Sequence, residues 1–107
     1  MMCSNCMEKN ESVKVIVNDR LRKYYACDKC KVTYGKNRNG VTFFPEEEVL
    51  LSDGGLFNVL INKPLIIDSI YIHEEFESGR TVLLREKETN KKLTHIFDIN
   101  WLIKIKN

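Results

Sequence analysis

No run of apolar residues in this 107-residue chain exceeds four. A helix that spans a membrane needs about 20, so none is expected. Met1-Met2-Cys3 passes straight into polar residues, and the expectation is a chain without a signal peptide. A phosphate loop is also missing, because Ser52-Asp53-Gly54-Gly55 has neither the lysine nor the glycine spacing that cradles phosphate. His73 and His95 have no partner at ligand spacing and no HExxH context, and both read as surface or strand histidines. No Ser or Cys nucleophile stands beside a positioned base, and the carboxylate pairs fall on turns, so a non-enzymatic protein is expected. Internal repeats and low-complexity stretches are absent. With 43% apolar and 30% charged residues the chain has the composition of a folded protein, and a soluble cytoplasmic one is expected.

What is present is a set of four cysteines: Cys3-x2-Cys6, then 20 residues, then Cys27-x2-Cys30. In a reducing compartment paired CxxC motifs read as metal ligands before they read as disulfides. Each forms a tight knuckle whose two sulfurs face one ion, and two knuckles supply the closed tetrahedral set that suits zinc. Soft thiolates also suit iron, but the Pro and Gly of rubredoxin knuckles are missing. Four unrelated thiols, or two redox dithiols, are the other reading. A site closed by four protein ligands is structural, with no open position for a substrate.

Between the knuckles Val13 to Val17 alternates as a strand, Asn18-Asp19-Arg20 supplies turn residues, and Leu21 to Ala26 returns as a second strand. Lys31 to Tyr34 adds a short third strand that stops at Gly35. Residues 1–35 are therefore expected to form a four-cysteine zinc ribbon, too small to hold together without its ion. Met2-Cys3-Ser4-Asn5-Cys6, the Val13 to Val17 strand and Tyr25-Ala26-Cys27-Asp28-Lys29-Cys30 resemble the N-terminal zinc domain of bacterial protein-arginine-kinase activators, a domain similar to one in certain Clp-type ATPases. The resemblance covers roughly residues 1–31 and implies that the four cysteines hold zinc in a module serving protein contacts and assembly.

Lys36-Asn37-Arg38-Asn39-Gly40 is polar and rich in turn residues, and is read as a linker over residues 36–40. Residues 41–107 are expected to form a small antiparallel β-barrel of five or six strands, which gives a mainly β protein. Strands are expected at Val41 to Phe44, Phe57 to Ile61, Leu65 to Ile72, Arg80 to Lys87 and Leu93 to Ile99. Glu46 to Leu51 is readable as a helical turn or an edge strand. Turns are expected at residues 52–55, 77–79 and 89–91. A tight turn at Asp98 to Trp101 precedes a closing strand at Leu102 to Ile105, a layout that resembles small Tudor and KOW barrels. Ile67, Leu84, Tyr71, Phe97 and Trp101 are the expected core, with an exposed aromatic pocket for a peptide at Trp101, Phe97 and Tyr71 as the alternative.

Charge is unevenly divided: residues 1–40 carry a formal +5 and residues 41–107 a formal −3. A zinc ion with four thiolates leaves the ribbon near +3. Its cations are interleaved with tyrosines, as phosphate contact and base stacking require. Arg20, Arg22, Lys23, Tyr24, Lys29 and Lys31 are the candidate nucleic-acid contacts; a solvated basic face, with Tyr24 or Tyr25 buried over the hairpin, is the other reading. The acidic segments Glu46-Glu47-Glu48 and Glu74-Glu75-Phe76-Glu77 read as solvated loops, or as surfaces that repel nucleic acid or meet a basic protein. The expected function is zinc-dependent regulation through nucleic acid, or through a nucleic-acid-bound machine such as RNA polymerase, in transcription. The alternative is a protein-binding adaptor or inhibitor, for example of a protease or host factor. Abundant Lys, Asn and Ile point to an AT-rich genome, such as that of a phage or a low-GC bacterium.

Overall fold

The computed structural model describes residues 2, 3, 6, 7, 9, 11–18, 23–52, 63–73, 79–93 and 95–105. They form a mainly β, antiparallel structure. Strands β1 (Lys14–Asn18) and β2 (Lys23–Ala26) pair as an N-terminal hairpin, with an irregular step between Val15 and Val17. β3 (Lys31–Val32) follows, then β4 (Gly35–Lys36) and β5 (Thr42–Phe43), which pair with each other across the segment read as a linker. Asn37 closes that turn: its Oδ1 accepts from the amides of Asn39 and Val41, both at 2.9 Å. Gly40 supplies the positive φ of 79° that the turn needs.

β6 (Glu48–Leu51), β7 (Leu65–Ile72), β8 (Arg80–Glu86), β9 (Phe97–Asp98) and β10 (Leu102–Lys104) complete the chain, with a 3-10 turn at Ile99–Trp101. Their order is β10-β6-β7-β8-β9, and β3 pairs with β7 as a sixth strand. β6 meets the start of β7 (Val49 opposite Leu65), and β3 meets its end (Val32 opposite Ile70). The two outer strands of this path, β9 and β10, are consecutive in sequence and joined by the 3-10 turn, so the sheet curls until its ends lie beside each other. Asp98 caps the turn, its Oδ1 accepting from the Asn100 amide at 2.8 Å.

The main core is aliphatic and aromatic: Phe43, Val49, Leu51, Leu65, Ile67, Ile70, Val82, Leu84, Phe97, Ile99 and Leu102. β7 and β8 are covered on both faces. Between Ile67 and Ser69 the register with β8 slips by one residue, at Asp68. That bulge returns Ile70 to the face of Leu65 and Ile67, and turns Tyr71 with Leu83 to the opposite face. There they join Cys3, Val13, Ala26, Cys27 and Cys30 in a second cluster. Ile72 N donates to the carbonyl of Cys30 at 2.8 Å, fastening the ribbon to the sheet. Gly35 packs against the main core, and a Cβ there would stand 2.8 Å from Ile99 Cδ1 and 3.4 Å from Ile70 Cγ2.

Several expectations change. Trp101 is not in the core: it ends the 3-10 turn with 38% of its surface exposed, because Ile99 and Leu102 on either side take the inward positions. His73 is not a surface residue: it is 3% exposed, its ring tilted against Tyr24 at 5.7 Å between centroids. Glu46 to Leu51 yields neither a helical turn nor an edge, since β6 is paired on both sides. The expected strand at 93–99 shortens to Phe97–Asp98, with Leu93 held to β8 through its amide and the Leu84 carbonyl at 2.9 Å. Tyr71, Ile67, Leu84 and Phe97 are buried as expected. The strand at 57–61, Asp53 to Gly55 and Glu74 to Ser78 lie outside the described residues. Among the described residues no helix is long and apolar enough to cross a membrane.

Candidate metal centre

The ribbon hairpin delivers one knuckle from each side. Cys3 and Cys6 precede β1, where Met2 bridges Lys9 and the Met7 amide donates to the Cys3 carbonyl at 3.0 Å. Met7 turns the chain out of the knuckle with φ 61°, a left-handed value that L residues other than Asn and Asp seldom adopt. Cys27 and Cys30 follow β2, where the Cys30 amide donates to the Cys27 carbonyl at 3.1 Å and that of Lys31 to the Asp28 carbonyl at 3.3 Å. Ser12 ties the knuckles together, its Oγ accepting from the Asp28 amide at 3.0 Å. Neither Ser12 nor the backbone of Met7 stands out in the sequence. A glycine after Cys6 would have been the readable signal for that turn.

All four Sγ atoms lie within 4.8 Å of one another. Cys3–Cys30 and Cys27–Cys30 are 3.7 Å apart and Cys6–Cys27 is 3.6 Å. A disulfide would bring two sulfurs to about 2.05 Å, so the four are free thiols. Sulfurs placed ~2.3 Å from a common ion at tetrahedral angles stand about 3.8 Å apart, close to the observed edges. The geometry fits a single ion held by four sulfurs. Cys3, Cys27 and Cys30 are buried and Cys6 is exposed, so the ion would sit between the hairpin and the sheet with one ligand facing solvent.

Electrostatics favour a cation as well. Burial first, and then hydrogen bonds with Cys3, Cys27 and Cys6, push the Cys30 thiol well above its ordinary range. Four thiolates therefore cannot coexist there without a compensating positive charge, and loading a metal ion must release protons. Burial also raises the Tyr71 hydroxyl, on which the cluster rests.

The candidate nucleic-acid residues are only partly gathered. Lys29 and Lys31 flank Cys30 and are exposed, while Lys23 is exposed at the far end of β2. Tyr24 is half-buried against His73. Arg20 and Arg22 lie outside the described residues. The acidic run is engaged in ion pairs, with Glu46 still exposed: Glu46 pairs with Arg85, Glu47 with Lys104 at 3.2 Å, and Glu48 with Lys87. Arg85 also holds Asp68 at the bulge, at 3.0 Å. In comparisons of the whole chain, no family model, no curated protein and no solved structure matches it.

Proposed function

We propose that the protein is a non-enzymatic, cytoplasmic zinc-binding regulator that contacts nucleic acid or a nucleic-acid-bound machine such as RNA polymerase. The observation that carries the metal half is the near-tetrahedral spacing of the four sulfurs. Zinc suits it because the ligand set is all thiolate and closed, which favours a redox-inactive structural ion. The ion then stands in for the apolar core that a short hairpin lacks.

The regulatory half rests on charge. Residues 1–40 carry a formal +5, with Lys29 and Lys31 exposed on either side of Cys30 and Lys23 exposed at the far end of β2. In the opposite half Glu46, Glu47 and Glu48 are engaged in ion pairs with Arg85, Lys104 and Lys87. Contact with about four phosphates gives a log–log salt slope near −3 to −4. Changing Lys23, Lys29 and Lys31 to Ala should flatten that slope by about two to three units and weaken all sequences alike. A flat salt response for the unaltered protein would overturn the nucleic-acid reading.

A second reading, a protein-binding adaptor or inhibitor, is favoured by a different observation. Trp101 and Ile103 alternate around buried Leu102 and present apolar surface outward, at 38% and 47% exposure. The ribbon's resemblance to protein-contact modules points the same way. This reading expects a stoichiometric protein partner whose capture survives the triple lysine change.

A further inference from the structure

The β4–β5 hairpin has an inward and an outward side. Gly35 and Phe43 face each other across the ladder and both are buried, Phe43 fully. Residues on either side of that rung point the other way, because side chains alternate along a strand. Lys36 lies opposite Thr42 on the outward side. Tyr34 and Phe44 extend the same alternation, with ring centroids 6.4 Å apart and planes tilted by 46°. They are 53% and 48% exposed. A cross-strand aromatic pair stabilises a hairpin, which explains why the rings touch. It does not require each to leave about half its surface in water.

The surroundings carry both signs: Glu47 Oε1 accepts from the Phe44 amide at 2.8 Å and Glu46 is exposed beside it, while cations stand along the hairpin. Lys36 and Arg38 are exposed on the same hairpin, and Lys29 and Lys31 are exposed just before it in the chain, with Asp28 as the exposed acid among them. Lys104 reaches the hairpin from β10, donating to the Thr42 carbonyl at 2.8 Å, and is already neutralised by Glu47. The ring assigned to nucleic acid from the sequence, Tyr24, is half-buried against His73 and offers no open face of comparable size.

We infer that the outward side of the β4–β5 hairpin is a stacking platform for single-stranded nucleic acid, with Tyr34 and Phe44 receiving unpaired bases and Lys36 and Arg38 the adjoining phosphates. Rings beside cations fit this ligand because every base has a π-face and every linkage an anion. A duplex hides its base faces and offers the rings nothing. The inference rests on the nucleic-acid reading above and narrows it to single strands.

The test uses the full chain with its metal and a fluorescent oligothymidylate of about 12 nucleotides, against a duplex of the same length, at about 50 mM salt. The single strand should bind more tightly than the duplex. Changing Tyr34 and Phe44 together to Ala should weaken it by about tenfold or more without altering the salt slope, and should leave duplex binding unchanged. Tyr34→Phe should retain the affinity, and an unchanged metal content and melting temperature would show that the variants fold. If the unaltered protein binds both nucleic acids with a salt slope but the double change has no effect, the platform is wrong and the broader reading stands. If it binds neither, both fall, and the rings become candidates for a protein surface.

Discussion

The two faces of the β7–β8 ladder are stabilised by different chemistry. On one face Leu65, Ile67, Ile70, Val82 and Leu84 pack into a cluster that is wholly aliphatic and aromatic. On the other, Tyr71 and Leu83 meet three buried cysteines, Val13 and Ala26. Burying a large aliphatic side chain contributes about 1.5–3 kcal/mol, and the first face has many of them. The second has few, and much of its small core is sulfur whose stabilising power depends on an ion. One face therefore stays folded through area removed from water, and the other would rely on coordination of an ion by its cysteines, although they share two strands.

The sharpest way to break this contrast is at the metal. Cys27→Ser should reduce bound zinc from one equivalent to less than about half and abolish the folded ribbon, because structural zinc supplies ~10 kcal/mol or more to such units. Metal analysis and amide exchange over β1 and β2 measure it. Cover over Tyr71 and Leu83 goes with the ribbon, so the sheet should survive with a lowered melting temperature. Loss of both in a single transition would place them in one folding unit and remove the division at residues 36–40.

On the opposite face, Leu84→Ala should cost about 2–5 kcal/mol in denaturant unfolding, as truncation of a fully buried leucine does, while zinc content stays at one equivalent. Parallel loss of metal under native conditions would show that the faces are not separable. Gly35→Ala tests the same core from its edge. Its Cβ would come to 2.8 Å from Ile99, and about 1–3 kcal/mol of overpacking is expected from the same unfolding experiment. The smallest effect has the opposite sign. Met7→Gly should stabilise the metal-bound ribbon by about 1 kcal/mol, since its φ of 61° carries no penalty for glycine. Competition with a chelator should then show zinc held several-fold more tightly.

Local chemistry was readable in the sequence and long-range partnership was not. Cys-x2-Cys twice over announces the sulfur cluster because the spacing itself brings each pair of sulfurs to one ion. Leu65–Ile72 was readable at both ends, and Arg80–Glu86 to within a residue, because apolar runs bounded by turn residues mark long strands. The tight turn after Asp98 was readable from its capping residue. Glu46 to Leu51 was not, since a short segment of three acids and three aliphatics takes its conformation from β7 and β10, which are distant in the chain. Trp101 misled because a large ring is expected inside, while the 3-10 turn shifts the alternation and hands its place to Ile99. His73 misled for the converse reason: the ribbon that covers it is remote in sequence. Asp68 gave no sign of a bulge, yet the bulge decides that β7 is covered twice.

The chain leaves the second knuckle at Cys30 and enters β3 at Lys31, with no residue between them to act as slack. The Cys30 carbonyl is itself engaged by Ile72 of β7. The sulfur cluster is thus bolted to the sheet and cannot swing on a tether. Ribbon and sheet therefore keep a fixed bearing to each other, as the two arms of a set square do.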